Sequence, residues 1–329
     1  MKKLTILLLV TSLFSMAGTR IELAPTDSHD LVTSQLVRVS SKKVTEMPAP
    51  HDAIALSWAL DPGAELTLGT QKGQGSSQEF WLEVTGDDFN QGVSLFVAGP
   101  GALVRISPAV ASTPMPSLGD LVLVNGAGRS FSNGVGLKAL LESDQLTADK
   151  ARAFTKGTAV FKLEESVGSG EVLLYADNLK YDAGNRYLVQ VREADSDVVL
   201  QAETSRLNYL AGQTLKVDAG MFAQNAAMDL DNMTGELIAP SGQKWPLSFK
   251  QGQATYKLAD GSQHPGLGLW EVRLTAFGKH KNGIVRRDLR TAFSVGEATA
   301  RFDGGADVAE TAQGLSADLD LDVAIAGRF

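Results

Sequence analysis

The chain has 329 residues, 43% of them hydrophobic and 21% charged, which is globular composition with length for two or three domains and excludes disorder over the whole chain. It has no cysteine, so disulfides and thiolate metal sites are excluded and stability must come from buried apolar area. Its net charge of −8, without a concentrated basic face, is a poor match for nucleic acid, whose phosphates require clustered Lys and Arg.

Residues 1–17 have the pattern of a secretory signal: Lys2 and Lys3 precede an apolar run that ends in Ser15-Met16-Ala17, small residues where a signal peptidase cuts. The alternative is a membrane anchor, but the apolar run is shorter than the ~20 residues needed to cross a bilayer. Cleavage after Ala17 predicts a periplasmic or secreted protein with no membrane span. No Cys follows the run, which excludes a lipoprotein.

Residues 18–53 are a polar, Pro-dotted lead-in with one candidate edge strand between Leu31 and Val39. Alternation begins at Ile54, Leu56, Trp58 and Leu60, followed by Asp61-Pro62-Gly63 and then ELTLG, EFWLEVTG, GVSLFVAG and ALVRISP, the spacing of a jelly-roll or immunoglobulin-like sandwich. QKGQGSS at 71–77 reads as a flexible hairpin tip, since it lacks the Lys-Ser/Thr and following helix of a phosphate loop. Between Asn133 and Phe154 the spacing becomes helical, with Leu137, Leu140 and Leu141, then Leu146, Ala151 and Phe154; Thr147 and Asp149 suit a capped start. Strands resume with GTAVFKLE, EVLLYA and RYLVQVRE. The first domain thus spans 54–194, with Asp195-Ser196-Asp197 as linker.

A second sandwich is expected over 195–296. In LWEVRLTA the residues Trp270, Val272, Leu274 and Ala276 share one face and Glu271, Arg273 and Thr275 the other, the period of a half-buried strand. Pro240-Ser241-Gly242-Gln243, Asp260-Gly261 and Asn282-Gly283 supply its turns. Residues 297–329 alternate again, Leu319, Leu321, Val323 and Ile325 against Asp318, Asp320 and Asp322. This strand either begins a truncated third β-domain or completes an earlier sheet, because a strand pair alone is not stable. The predicted fold is mainly β: tandem immunoglobulin-like sandwiches, with a few short helices in the first domain.

The segments EFWLEVTGDDFNQGVSLFVAGPGALVRISP, AVFKLEESVGSGEVLL, YLVQVREADSDVVLQAE, YLAGQTLKV, GELIAPSGQKWPL, GLWEVRLTAFG and RTAFSVGEATARF together resemble the exported gammaproteobacterial domain-of-unknown-function 4785 family. The resemblance covers nearly the whole mature chain and rests on strand-and-turn patterns. It implies an N-terminal β-domain followed by two immunoglobulin-like domains, and carries over no reaction and no functional residue.

Catalytic signatures are sparse. His29, His51, His264 and His280 form no local metal spacing such as HExxH, and Gly128-Arg129-Ser130-Phe131-Ser132 departs from GxSxG at its last position. Ser40 to Lys43 and Ser241 to Lys244 have SxxK spacing, yet neither lies on a helix. No cofactor is expected. Calcium is the one ion with candidate ligands, at Asp229, Asp231 and Asn232 and secondarily at Asp87, Asp88 and Asn90, although such clusters are also ordinary turn chemistry.

Two features suit binding. Trp81 lies on the opposite strand face from Phe80, Leu82 and Val84, where it can stack on a sugar ring or be covered by the helices expected near Leu140. Lys279, His280, Lys281, Arg286, Arg287 and Arg290 cluster about one hairpin and can meet an anionic glycan or an acidic partner, or blunt a sheet edge. The reading favoured is an exported, non-catalytic protein that binds a glycan, an envelope component or a protein partner. The alternatives are a hydrolase or hydrolase accessory module with a site at the interdomain cleft, and a structural spacer.

Overall fold

The computed structural model describes residues 19–22, 71–141, 157–176, 182–258, 268–280, 283–311 and 314–324. The signal segment, the strand expected at Ile54–Leu60, the helix expected over Leu146–Phe154, and His29, His51 and His264 lie outside them. The chain divides into two units, one of residues 1–69 with 297–329, the other of residues 70–296. The first unit opens, among the described residues, with strand β1 (Thr19–Glu22).

The second unit contains two sandwiches. Its strands begin with β2 (Gly73–Ser77) and β3 (Glu79–Thr85), then helix α1 (Gly86–Gln91), β4 (Val93–Val97), β5 (Leu103–Pro108), β6 (Leu121–Asn125), β7 (Ser130–Phe131), β8 (Leu137–Leu141), β9 (Ala159–Leu163), β10 (Gly170–Ala176) and β11 (Arg186–Arg192). An antiparallel sheet in the order β3-β11-β5-β9-β8 faces a second in the order β4-β10-β6-β7. Alternation decides what lies between them: Phe80, Leu95, Ile106, Leu123, Phe161, Val172 and Val189 point inward and are fully buried.

Leu137–Leu141 is a strand, β8, not a helix: its pairing with β9 shifts between Ala139 and Leu141, so Leu140 is an extra, 53% exposed residue in a β-bulge. That inserted residue produces the three-and-four spacing that mimics a helix. The helix instead forms at GDDFNQ, where Thr85 and Asp88 make a capping box; the Asp88 carboxylate accepts from the Thr85 amide at 2.6 Å, and the Thr85 hydroxyl accepts from the Asp88 amide. Phe89 anchors the turn edge-to-face on Tyr187, 5.1 Å between centroids.

The second sandwich comprises β12 (Val198–Thr204), β13 (Asn208–Leu210), β14 (Thr214–Ala223), β15 (Ala226–Ala227), β16 (Leu230–Ile238), β17 (Lys244–Ser248), β18 (Gln253–Lys257), β19 (Trp270–His280) and β20 (Gly283–Gly296). One sheet runs β13-β20-β19-β16-β17, with β13 parallel to β20; the other runs β15-β14-β12-β2, with β18 also on β14. This is an immunoglobulin-like arrangement. Its core holds Trp270, Val272, Leu274, Phe293, Tyr209 and Leu200, with Trp245 stacked on Trp270 at 5.6 Å.

Residues 73–77 are therefore not a hairpin tip. They form β2, an edge strand of the second sandwich, because two glycines allow close approach: a Cβ on Gly73 would fall 2.4 Å from the Thr204 hydroxyl, and one on Gly75 3.2 Å from Leu289. Among the described residues a strand of the second sandwich thus precedes those of the first, which the alternation of β2 alone does not reveal.

The first unit contributes β1, β21 (Ala300–Thr311) and β22 (Gly314–Val323), in the order β1-β21-β22. Ile21, Phe302, Leu315, Leu319, Leu321 and Val323 are exposed. Arg20 faces Asp303, Asp307 and Asp320 at 3.3 to 3.7 Å.

Candidate functional site

The surface of interest lies where β20 of the second sandwich meets β3 of the first. Strand β3 is an edge strand, so its outward backbone groups need partners. Asp288 and Arg286 provide them: the Trp81 amide donates to the Asp288 carboxylate at 2.8 Å, and Arg286 donates to the Trp81 carbonyl at 3.0 Å and to Asp288 at 3.0 Å. The Arg286 guanidinium also lies 5.8 Å from the Phe80 ring centroid and 5.6 Å from that of Phe277.

Behind this contact Arg287 points inward with Val285 and Leu289 and is completely buried. Its guanidinium meets Glu193 at 2.7 Å and donates to the Val198 carbonyl, the Arg286 carbonyl and the Ser196 hydroxyl. Burial lowers the Arg287 pKa from its ordinary value, and the Glu193 carboxylate opposes that fall. Glu193 in turn accepts from the amides of Ala98 and Gly99 at 2.7 and 3.1 Å. The segment Asp195-Ser196-Asp197 is thus pinned: Gln78 donates to the Ser196 carbonyl at 2.6 Å, and His280 lies 3.4 Å from Asp197.

Beside the joint is a recess of about 660 Å³ lined by Ser76 to Glu79, Trp81, Arg105, Leu188, Gln190, Arg192 and Asp288 to Arg290. Strand register builds its floor. Trp81, Gln190 and Arg105 lie side by side across β3, β11 and β5, on the face opposite the core, and Glu79 and Arg192 form the next pair. The exposed Arg290 guanidinium sits over the Trp81 ring, 4.6 Å from its centroid. Both carboxylates of the recess are engaged, Glu79 by the Gln190 amide at 2.9 Å and Asp288 by Arg286 and the Trp81 amide. Three arginines against two carboxylates leave a local positive balance on an acidic chain.

The structure therefore separates the residues singled out by sequence. Trp81 and Arg290 share the recess. The cover on Trp81 is Arg290, not residues near Leu140. Arg286 and Arg287 are structural members of the joint, so the hairpin's positive face is smaller than its sequence suggests. Lys279 is 77% exposed and pairs with Asp231 at 3.5 Å, and Lys281 lies outside the described residues. Asp229 precedes β16, whereas Asp231 and Asn232 lie within it, at a register shift in its pairing with β19. One of the three calcium-ligand candidates thus already faces a cation, and among the described residues no three His, Asp or Glu side chains converge as a metal site. Asp88 serves the helix cap. Ser241 and Lys244 flank a tight turn, where Lys244 pairs with Glu236 at 3.6 Å.

Arg105, Gln190 and Arg192 are lining residues that sequence reasoning missed. Their outward placement was legible from the alternation of ALVRISP and RYLVQVRE, but the adjacency of β11 to both β3 and β5 was not.

Residues 45–193 match the family described as "Domain of unknown function (DUF4785) N-terminal domain". The chain therefore contains a DUF4785 N-terminal domain. It is also similar to the crystal structure of a DUF4785 family protein from Legionella pneumophila, at 22% identity, with 79% of this chain and 73% of that one covered and a TM-score of 0.59, which supports the fold. The adhesin domain of Epf from Streptococcus pyogenes aligns with 69% of this chain and 93% of its own at 9% identity, but its TM-score of 0.19 gives it no bearing on fold or function. Among curated proteins, none matches.

Proposed function

We propose that this protein is an exported binding protein that takes an acidic saccharide of an envelope or extracellular glycan at the Trp81 recess. The observation that carries the reading is the Arg290 guanidinium laid over the Trp81 indole, with Arg105 and Arg192 lining the same recess. The indole holds the Arg290 guanidinium in place over its face, and guanidinium groups bind a carboxylate with two parallel hydrogen bonds. Binding rather than hydrolysis is favoured because Asp288 is buried in an ion pair with Arg286, which leaves Glu79 without the second available carboxylate that glycoside hydrolysis ordinarily uses.

The test is an array of uronic, sialic and ulosonic acid glycans with their neutral counterparts, probed with the mature chain and with W81A and R290A. Selective capture of acidic glycans, lost in both variants while their melting temperatures hold, is the expected result. Equal capture of neutral glycans, or none of any kind, overturns the reading.

A further inference from the structure

The outer face of the second sandwich carries a second recess, also of about 660 Å³, on β2, β12, β14 and the turn before β18. Ser76 lines both recesses, which places them next to each other along strand β2. Each falls within the ~300–1,000 Å³ of small-molecule sites, and their union is more than one ring requires.

The chemistry of the second recess differs from that of the first. Its aromatic member is Phe222, partly exposed on a sheet face where a polar side chain would ordinarily stand. A Cβ on Gly220 would lie 3.2 Å from two carbons of the Phe222 ring, so the absent side chain lets the ring lie down along the strand. Around this platform stand Gln201 and Gln253, with Glu203 and Asp218 between them. Both carboxylates are compensated: Glu203 accepts from Lys72 at 2.6 Å and from Gln74 at 2.9 Å, and Asp218 accepts from Gln253 at 2.6 Å. No arginine lines this end. A low-lying phenyl ring ringed by amides and compensated carboxylates suits an uncharged, polyhydroxylated ring, with stacking on Phe222 and hydroxyls meeting donors and acceptors of both kinds.

We infer that the two recesses form one trough that reads an oligosaccharide, its acidic unit at Trp81 and its neutral units across Phe222. This rests on the proposed acidic-saccharide site and adds to it a requirement for chain length. Two subsites on one rigid surface act as linked sites, so the second raises affinity without a new molecule having to be captured.

Titration calorimetry of the full chain with glucuronic acid and with 4-O-methylglucuronic acid carried on xylotriose separates the two claims. The tetrasaccharide is expected to bind at least tenfold more tightly than the monosaccharide. F222A is expected to abolish that advantage while leaving glucuronic acid binding unchanged, F222Y to retain it, and R290A to weaken both ligands. Equal affinity of the two ligands for the unaltered chain, or an unchanged advantage in a folded F222A, overturns the trough and leaves the Trp81 site standing. Silence toward both ligands overturns the site together with the trough.

Discussion

Arg287 and Glu193 meet at 2.7 Å with side chains 0% and 4% exposed, the guanidinium from the last hairpin of one sandwich and the carboxylate from the end of the other. Removing one member of such a pair strands the other charge away from water. R287A is therefore expected to destabilise the protein by about 3–5 kcal/mol, measured by urea unfolding. Replacing both partners with apolar side chains, as in R287M with E193L, should recover part of that loss; a single R287A within about 1 kcal/mol of the parent would show that the pair is not isolated from solvent.

Asp288 acts on backbone rather than on charge alone. It is 1% exposed in its side chain and receives the Trp81 amide, so it stands in for a neighbouring strand along the edge of β3. D288A should cost about 1–3 kcal/mol by leaving that amide and the facing Arg286 without their acceptor. Hydrogen exchange gives the sharper readout. The Trp81 amide should exchange at least tenfold faster in D288A, while amides in the central strand β11 keep their protection; uniform protection would remove Asp288 from this role.

Gly92 ends α1 at φ +105°, and a Cβ there would fall 2.5 Å from the Tyr175 ring. G92A meets both objections, a backbone region that side chains disfavour and the ring of Tyr175 on β10. The expected loss is about 1–3 kcal/mol. G128A, at φ +77° with open space around it, separates the two contributions, because it keeps the backbone cost without the clash. Equal losses in the two variants would mean that Tyr175 yields freely.

What the sequence made legible follows from the range of the interactions involved. The period of two in Trp270, Val272, Leu274 and Ala276 is a property of one strand, so the face it buries could be read directly, and these four residues do line the second core. The same holds for Trp81, whose outward direction follows from Phe80 and Val84. Reading failed where one residue or one distant strand intervenes. The bulge at Leu140 copies helical spacing, and the capping box of Thr85 and Asp88 was overlooked although its T-x-x-D pattern is local. Residues 71–77 looked like a tip because Gly and Ser carry no periodicity, whereas their strand exists through Val198–Thr204, more than 120 positions onward in the chain. Arg286 and Arg287 are adjacent in sequence and point to opposite faces, one to β3 and one into the core; runs of like charge conceal that division. The recess is hardest to foresee, because Trp81, Arg105, Gln190 and Arg290 are brought together only by sheet order and by the meeting of two sandwiches.

The last prediction concerns pH. Hydrogen bonds from the Thr85 backbone and then its side chain hold Asp88 below the ordinary aspartate value of 3.8, and hydrogen bonds from Lys72 and then Gln74 hold Glu203 below the ordinary glutamate value of 4.5. A carboxyl group whose pKa is depressed by folding stabilises the fold fully above its unfolded value and loses that contribution as pH falls through the folded value. Thermal melts should therefore show stability falling as pH drops below about 4.5. D88N and E203Q should each be less stable than the parent at neutral pH and converge on it in acid. On the alkaline side burial raises the Tyr187 pKa above its ordinary 10.0, and the hydroxyl donates to the Pro114 carbonyl at 2.7 Å. The sign reverses for this group, because the raised value favours the neutral phenol in the fold. Its contribution is intact below pH 10 and is lost as pH rises through the folded value, so Y187F should flatten the alkaline limb while leaving the acid limb unchanged. An acid limb of equal slope in D88N, E203Q and the parent would assign acid unfolding to other carboxylates.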